Sequence, residues 1–340
     1  QYVGNCHLQH LTLRQTKGSG VWGRSSFTTE DVLVEQCDGD GVKADGYGVV
    51  GRCTNVEVRQ CGGSGVFVED DASITLIGAK TTVHHNCTRG ERNEYGLKVY
   101  DIDSSTSTIQ LVSPLTKEQV EIDNGGGGNW GAASGAAINQ IKTIAATTSS
   151  VPCGETKSNH ASPSRKDDLL RLPAHVITTK VFTYFGFKDY ALTGCASQYA
   201  QAHWQTANRR KPLPLYVPED CTTLEEAVTR VEQDPRITTI ILGKGAHVVE
   251  ALKDEWGHDN NTLVIFPAMS IVGRPDVPKE QIVVKGSIYF KKRIQGNCHL
   301  QHLTLRQAKG SGVRGFSSFT MDDVLVEQCG YSGVYAYGTG

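Results

Sequence analysis

The sequence predicts a mainly β protein, a solenoid in two pieces with a small helical segment between them. Three features carry this expectation: a near-perfect internal duplication, a shorter period inside it, and apolar runs that alternate like strands and end at glycine. Gly4 to Cys37 recurs as Gly296 to Cys329 at a constant offset of 292, with 29 of 34 positions identical. Two copies that close must fold alike. The residues before the second copy have no equivalent before the first, and the continuation of the first copy is cut off after the second. The chain therefore reads like one repeating unit opened at an arbitrary point, in a natural order of about 165 to 340 and then about 38 to 120.

The inner period is legible in the first 120 residues. Val32-Leu33-Val34 and then Cys37 match Val56-Glu57-Val58 and then Cys61 at a spacing of 24, and each leads to a Gly-x-Gly-Val step, Gly39 to Val42 and Gly63 to Val66. Leu11-Thr12-Leu13 with Gly18 to Val21 opens this series, and Thr82-Val83, Cys87 and Tyr95-Gly96-Leu97 continue it. Short alternating runs separated by glycine or Asx corners are strand chemistry with turn punctuation. Units of 21 to 31 residues with two or three short strands are the mark of a solenoid, whose coils stack their inward Val, Leu and Ile. On this reading Cys37, Cys61 and Cys87 take the same place in successive coils, as a ladder of small apolar side chains. A spacing of about 4.8 Å between coils makes a disulfide conceivable there, but free thiols are the expectation.

In the second half, Leu215 to Val249 spells a strand, a helix and a strand. Leu224, Ala227, Val228 and Val231 share one helical face, Thr222-Thr223 precedes Glu225-Glu226 as a cap with first-turn acids, and Asp234-Pro235 ends the helix. Strand runs come next at Ile240-Ile241-Leu242, Leu263-Val264-Ile265, Ser270-Ile271-Val272, Ile282-Val283-Val284 and Ser287 to Phe290. Taken together, residues 3–122 and 213–340 resemble the right-handed parallel β-helix of the pectin-lyase-like superfamily, in which a strand–helix–strand element covers the open N-terminal end. The expected organisation is coils over 1–122, a linker over 123–164, a helical module over 165–208, and the cap with the first coils over 209–340.

The linker expectation rests on Gly125 to Gly128 and on the Ala/Ser/Thr-rich stretch from Gly131 to Ser164, which hold few large apolar residues. After it, Leu172, Val176, Ile177, Val181, Phe182, Phe185, Leu192 and Cys195 predict two or three short amphipathic helices broken near Pro173 and Gly186. This stretch resembles an F-box. Leu172-Pro173 opens the motif, Val181-Phe182 with Tyr184-Phe185 stand at its apolar run, and Lys188-Asp189 precede Leu192. The segment up to Phe182 is one residue longer than the usual motif, and Tyr190 and Tyr199 replace its more common leucine and tryptophan. The resemblance implies docking on a Skp-type adaptor through Leu172, Pro173, Val181, Phe182, Phe185 and Asp189, with the solenoid holding a protein substrate of a cullin–RING ubiquitin ligase.

Composition narrows the alternatives. A formal net charge of −2 gives no electrostatic footprint for nucleic acid or an anionic membrane. No run approaches the length of a membrane span, and ten cysteines without CxxC spacing point to reduced thiols in a cytoplasmic or nuclear protein. Residue 1 is Gln, so the N-terminus reads as truncated and the lack of a visible signal sequence carries little weight. The rival class is a carbohydrate-active β-helix enzyme, for which the candidate acids are Asp38, Asp40 and Asp45, and Glu69, Asp70 and Asp71, with Arg52 or Arg59 for a uronate. Hydrolysis needs two carboxylates facing one groove, and a calcium-assisted lyase needs several carboxylates plus a base. The linear sequence shows neither, and Asp38 to Gly41 becomes Gly330 to Gly333 in the second copy. His7 and His10, three apart on a strand, point to opposite faces, and these histidines with His84, His85, His299 and His302 read as corner or surface residues. The expectation is a binding subunit with no catalytic residues, no metal and no cofactor, and with solenoid ends open to head-to-tail stacking within or between chains.

Overall fold

Alternating burial makes a strand, and one residue that tolerates positive φ makes a corner; the duplicated block contains both in close succession. Cys6–Gln9 and Thr12–Arg14 are strands, and Cys6, Leu8, Leu11 and Leu13 are buried. Between them His10 sits at φ 53°. The step recurs about Asp31 (φ 50°), Asn55 (φ 52°), His302 (φ 52°) and Asp323 (φ 52°). Among non-glycine residues, Asn, Asp and His are the ones enriched in this left-handed region. A second corner comes after the next strand at Gln15, Gln36, Gln60, Gln307 and Gln328, all with φ between 53° and 59°. There the Gln36 amide donates to Gln60 at 3.3 Å and accepts from Gln15 at 3.4 Å.

The structure is a computed structural model and describes residues 5–101, 106–134, 136, 138–145, 213–253 and 259–338. The chain divides into two units, Gln1–Ala146 with Pro214–Gly340, and Thr147–Leu213. All the described residues except Leu213 belong to the first, which is mainly β with parallel sheets. The F-box-like residues Leu172, Pro173, Val181, Phe182, Phe185 and Asp189 lie outside the described residues.

Three ladders of parallel strands run through the first unit. The first takes in order Ile237–Leu242, Ser270–Gly273, the leading halves of Cys298–Arg306 and Phe319–Glu327, then Cys6–Gln9, Phe27–Glu30, Val50–Thr54, Ser73–Ile77, Thr108–Val112 and Ile141–Ile144. The second takes Gly245–Val248, Ile282–Lys285, the trailing halves of the same two long strands, then Thr12–Arg14, Leu33–Glu35, Glu57–Arg59, Thr82–His84 and Glu121–Ile122. The third forms a separate sheet: Thr262–Ile265, Ser287–Phe290, Val313–Gly315, Val334–Tyr337, Val21–Arg24, Val42–Asp45, Val66–Glu69, Leu97–Asp101 and Trp130–Ser134. The chain visits the three ladders in turn and then begins the next layer.

Registered stacking puts equivalent residues on top of one another, so the core is built of columns. Leu305, Val326, Leu13, Val34, Val58 and Val83 form one, and Ile288, Val313, Val334, Val21, Val42, Val66 and Leu97 another, each residue within 1% of full burial. The buried rings of Phe27 and Phe319 need space across the layer. Glycine supplies it: a Cβ on Gly23 would fall 2.3 Å from Phe27, and one on Gly315 2.3 Å from Phe319. At one end the helix Leu224–Gln233 lies as the sequence predicts, with Thr223 accepting from the Glu226 amide and Leu224, Ala227, Val228 and Val231 buried.

Two features depart from the sequence expectations. The paired strands continue past residue 122, because Trp130–Ser134 joins the third ladder and Ile141–Ile144 the first. Backbone pairing asks little of the side chains, and Ala or Gly in a last layer needs only one neighbour. The corner column also runs through Asn86 and Asn124 rather than Cys87. Asn86 accepts from the Cys61 amide at 3.1 Å and donates to the Val58 carbonyl at 3.0 Å, and Asn124 repeats the pattern on Asn86 and Val83. Asn satisfies corner backbone groups that a thiol only touches. The eight described cysteines are buried, and none of them is in a disulfide.

The two sequence pieces form one stack. Cys6 pairs with Phe27 on one side and Phe319 on the other, and Val21 pairs with Val334. The open edges expected at the cut thus meet within the chain. Glu327, with a side chain only 3% exposed, bridges this junction, pairing with Arg14 at 2.6 Å and with Arg306. Glu327→Gln should strand two guanidiniums against a neutral amide and lower unfolding free energy in urea by about 2 kcal/mol. Glu57→Gln, at an exposed pair, should change it by less than about 0.5 kcal/mol. Equal effects would remove Glu327 from its place at the junction.

Candidate functional site

Outward positions on the third ladder form a single column by strand register: Val264, Tyr289, Arg314, Tyr335, Trp22, Lys43, Phe67 and Lys98. Aromatic rings and cations alternate along much of it. Arg314 lies over Tyr289 at 5.3 Å, over Tyr335 at 5.9 Å and over Phe316 at 5.1 Å. Trp22 meets Tyr335 with centroids 4.9 Å apart, Lys43 lies 5.1 Å over Trp22 and 4.8 Å over Phe67, and Lys98 lies 4.7 Å over Phe67. Such contacts contribute about 0.5–2 kcal/mol each, more where water is excluded.

The charges along the column are handled differently at its two ends. Lys43 pairs with Glu69 at 2.6 Å and Lys98 with Glu94 at 3.0 Å, while on the next outward position Arg24 pairs with Asp45 at 3.3 Å. Asp45 also accepts from the Trp22 indole at 3.1 Å. Arg314 is exposed and has no carboxylate partner among the described residues. Around it opens a groove of about 940 Å³, walled by Tyr289, Arg314, Tyr335 and Trp22 and by Lys309 and Tyr331 from the adjoining corners.

A second arrangement lies farther along the same face. The Ser64 amide donates to Asp40 at 2.8 Å, and the Ser64 hydroxyl donates to Glu94, which also holds Lys98. Burial first, and the charge of Glu94 second, push the Asp40 carboxyl up to about 6, against the pull of Lys43, the Ser64 amide and Lys98. A carboxyl whose pKa is raised, beside a second acid and a nearby ammonium, is a combination able to move protons.

The remaining sequence candidates disperse. Asp38 is exposed, and Asp70 and Asp71 form a left-handed corner at φ 55° and 62°. Arg59 is held by Glu35 at 2.7 Å and by Glu57 at 2.7 Å. His7 bonds Thr28 at 2.5 Å, His10 bonds Asp322 at 2.8 Å and His302 bonds Asp323 at 2.6 Å. Among the described residues no three His, Cys, Asp or Glu side chains gather as a metal site, and no helix is long and apolar enough to cross a membrane. The third-ladder column escaped sequence reading, although a signal for it was present. Only five positions differ between the two copies, and two of them, Trp22/Arg314 and Arg24/Phe316, exchange an aromatic residue and a cation on this face.

The Asp40 environment has a pH consequence. A carboxyl raised from 3.8 to about 6 binds its proton more tightly in the folded chain. Its favourable contribution is full below its unfolded value and is lost as pH rises through about 6. Asp40→Asn keeps an acceptor for Ser64 without the titration. Thermal melts from pH 4 to 7 should therefore fall less steeply in the variant, which should be the more stable protein at pH 7; parallel curves would contradict the assignment. Neither a family model, nor a curated protein, nor a solved structure matches the chain, so the function of this face is argued from its own chemistry.

Proposed function

We propose that the protein is a right-handed parallel β-helix joined to an F-box-like module, and that it serves as the substrate-recognition subunit of a cullin–RING ubiquitin ligase. The observation that carries the binding half of this reading is the third-ladder column, a rigid face of aromatic and cationic side chains beside a groove. Parallel strands repeated layer by layer through short left-handed corners support the β-helix, and crossovers between parallel strands are right-handed in nearly all proteins. The docking half rests on Leu172-Pro173 and the run Val181 to Phe185.

A Skp-type adaptor should be retained by the immobilised chain. Phe182→Ala or Phe185→Ala should each remove an anchor of about 2 kcal/mol and weaken capture roughly thirtyfold, with the far-ultraviolet circular dichroism of the strands unchanged. Undiminished capture by both variants would exclude docking through this run.

Asp40, Ser64, Glu94 and Lys98 favour a second reading, an enzyme acting on acidic polysaccharide. The binding reading expects no unsaturated product and no new reducing ends from polygalacturonate, alginate or pectin, with or without calcium. Turnover that disappears in Asp40→Asn would reverse the order of the two readings.

A further inference from the structure

We infer that the groove around Arg314 binds an acidic peptide segment, with the guanidinium of Arg314 as its anion anchor. This deepens the reading of the chain as a protein-binding subunit and rests on it.

Charge distinguishes this place from the rest of the face. Arg24, Lys43 and Lys98 each have a carboxylate within ion-pair distance, but Arg314 has none among the described residues. Among the described residues the groove lining includes Arg314 and no Asp or Glu. A guanidinium with no carboxylate among the described residues around it is complementary to an anion.

Geometry adds the class of anion. Tyr289, Phe316 and Tyr335 surround the Arg314 guanidinium at 5.3, 5.1 and 5.9 Å, contacts that restrict where it can lie before any ligand arrives. A planar fork suits the two oxygens of a carboxylate. The same contacts cover the ring faces that a sugar would need: Arg314 occupies Tyr289 and Tyr335, while Trp22 is taken by Tyr335 and Lys43. What the groove still presents is N–H and O–H donors, which favours carboxylate side chains over a stacked pyranose. Its lining reaches from Val264 through the strands of Tyr289, Arg314 and Tyr335 to Trp22. Four layer steps of about 4.8 Å span about 19 Å, the length of roughly six extended residues.

The duplication supplies an independent pointer. The position that carries this charge is one where the copies differ: the first has Trp22 where the second has Arg314. The buried residues on either side of it in its strand, Val313 and Gly315, recur as Val21 and Gly23 in the first copy, so the local backbone does not require an arginine at this place.

The test uses the full chain and a fluorescein-labelled peptide with six consecutive glutamates, read by fluorescence anisotropy. Binding should weaken at least about tenfold in Arg314→Gln and in Arg314→Trp, as expected for an anchor residue. Arg314→Lys should recover part of the loss, and Arg24→Gln, whose cation is already paired, should bind like wild type. High salt should weaken the wild-type complex more than the Arg314→Gln complex. Melting curves identify correctly folded variants. No binding by wild type, equal binding by wild type and Arg314→Gln, or tighter binding of oligogalacturonate than of the peptide would each overturn the inference. The assay involves no adaptor. A chain that captures the adaptor but ignores the peptide loses this inference alone, and one that binds the peptide but not the adaptor loses the ligase reading alone.

Discussion

Every other feature of the described unit depends on backbone pairing between successive layers, carried around the corners by residues with positive φ. The corner amides take part in the pairing: His10 donates to Glu30 at 3.0 Å, Asp31 to Thr54 at 3.0 Å and Asn55 to Ile77 at 2.9 Å. Pairing at corners as well as in strands locks the register, and a slip of one residue would exchange the inward and outward faces of a whole strand. The inward columns of Val, Leu and Ile result from that lock. So do the outward columns.

Stacking of equivalent residues creates an electrostatic problem, because like charges directly opposed on neighbouring strands repel. Across the junction the second ladder alternates sign, with Arg306, Glu327, Arg14, Glu35 and Arg59 succeeding one another in register. Glu327 is the most buried of the bridging carboxylates, and it lies where the two copies meet. The duplicated block therefore joins to itself because Arg14 and Glu35 in one copy are Arg306 and Glu327 in the other.

The third ladder uses a different solution, interleaving cations with rings. Where carboxylates are within reach, as at Lys43 and Lys98, the face is neutralised and closed. Around Arg314 the described residues supply no carboxylate, and a groove opens beside it. One surface thus carries both a charged opening and, farther along, the Asp40–Ser64–Glu94 arrangement. The two readings of function separate along this face, the first being recognition by fixed donors and the second proton movement at the Asp40 carboxyl.

The sequence by itself determined the strands of the repeated layers, the capped helix Leu224–Gln233 and the match between the two duplicated blocks, because these depend on local alternation, capping chemistry and repetition. Tertiary structure alone decided what stands beside what. Asp40 and Glu94 are far apart in sequence and meet through Ser64, whereas the acids that are neighbours in sequence, Glu69, Asp70 and Asp71, part company at a corner. Cys87 and Asn86 differ by one place, and only the corner hydrogen bonds show which of them belongs to the column. The strands at Trp130–Ser134 and Ile141–Ile144 have little apolar signal of their own and are strands because a paired layer precedes them. Register between layers, which no single segment encodes, brings Arg314 between Tyr289 and Tyr335 and makes a groove of residues that the chain keeps apart.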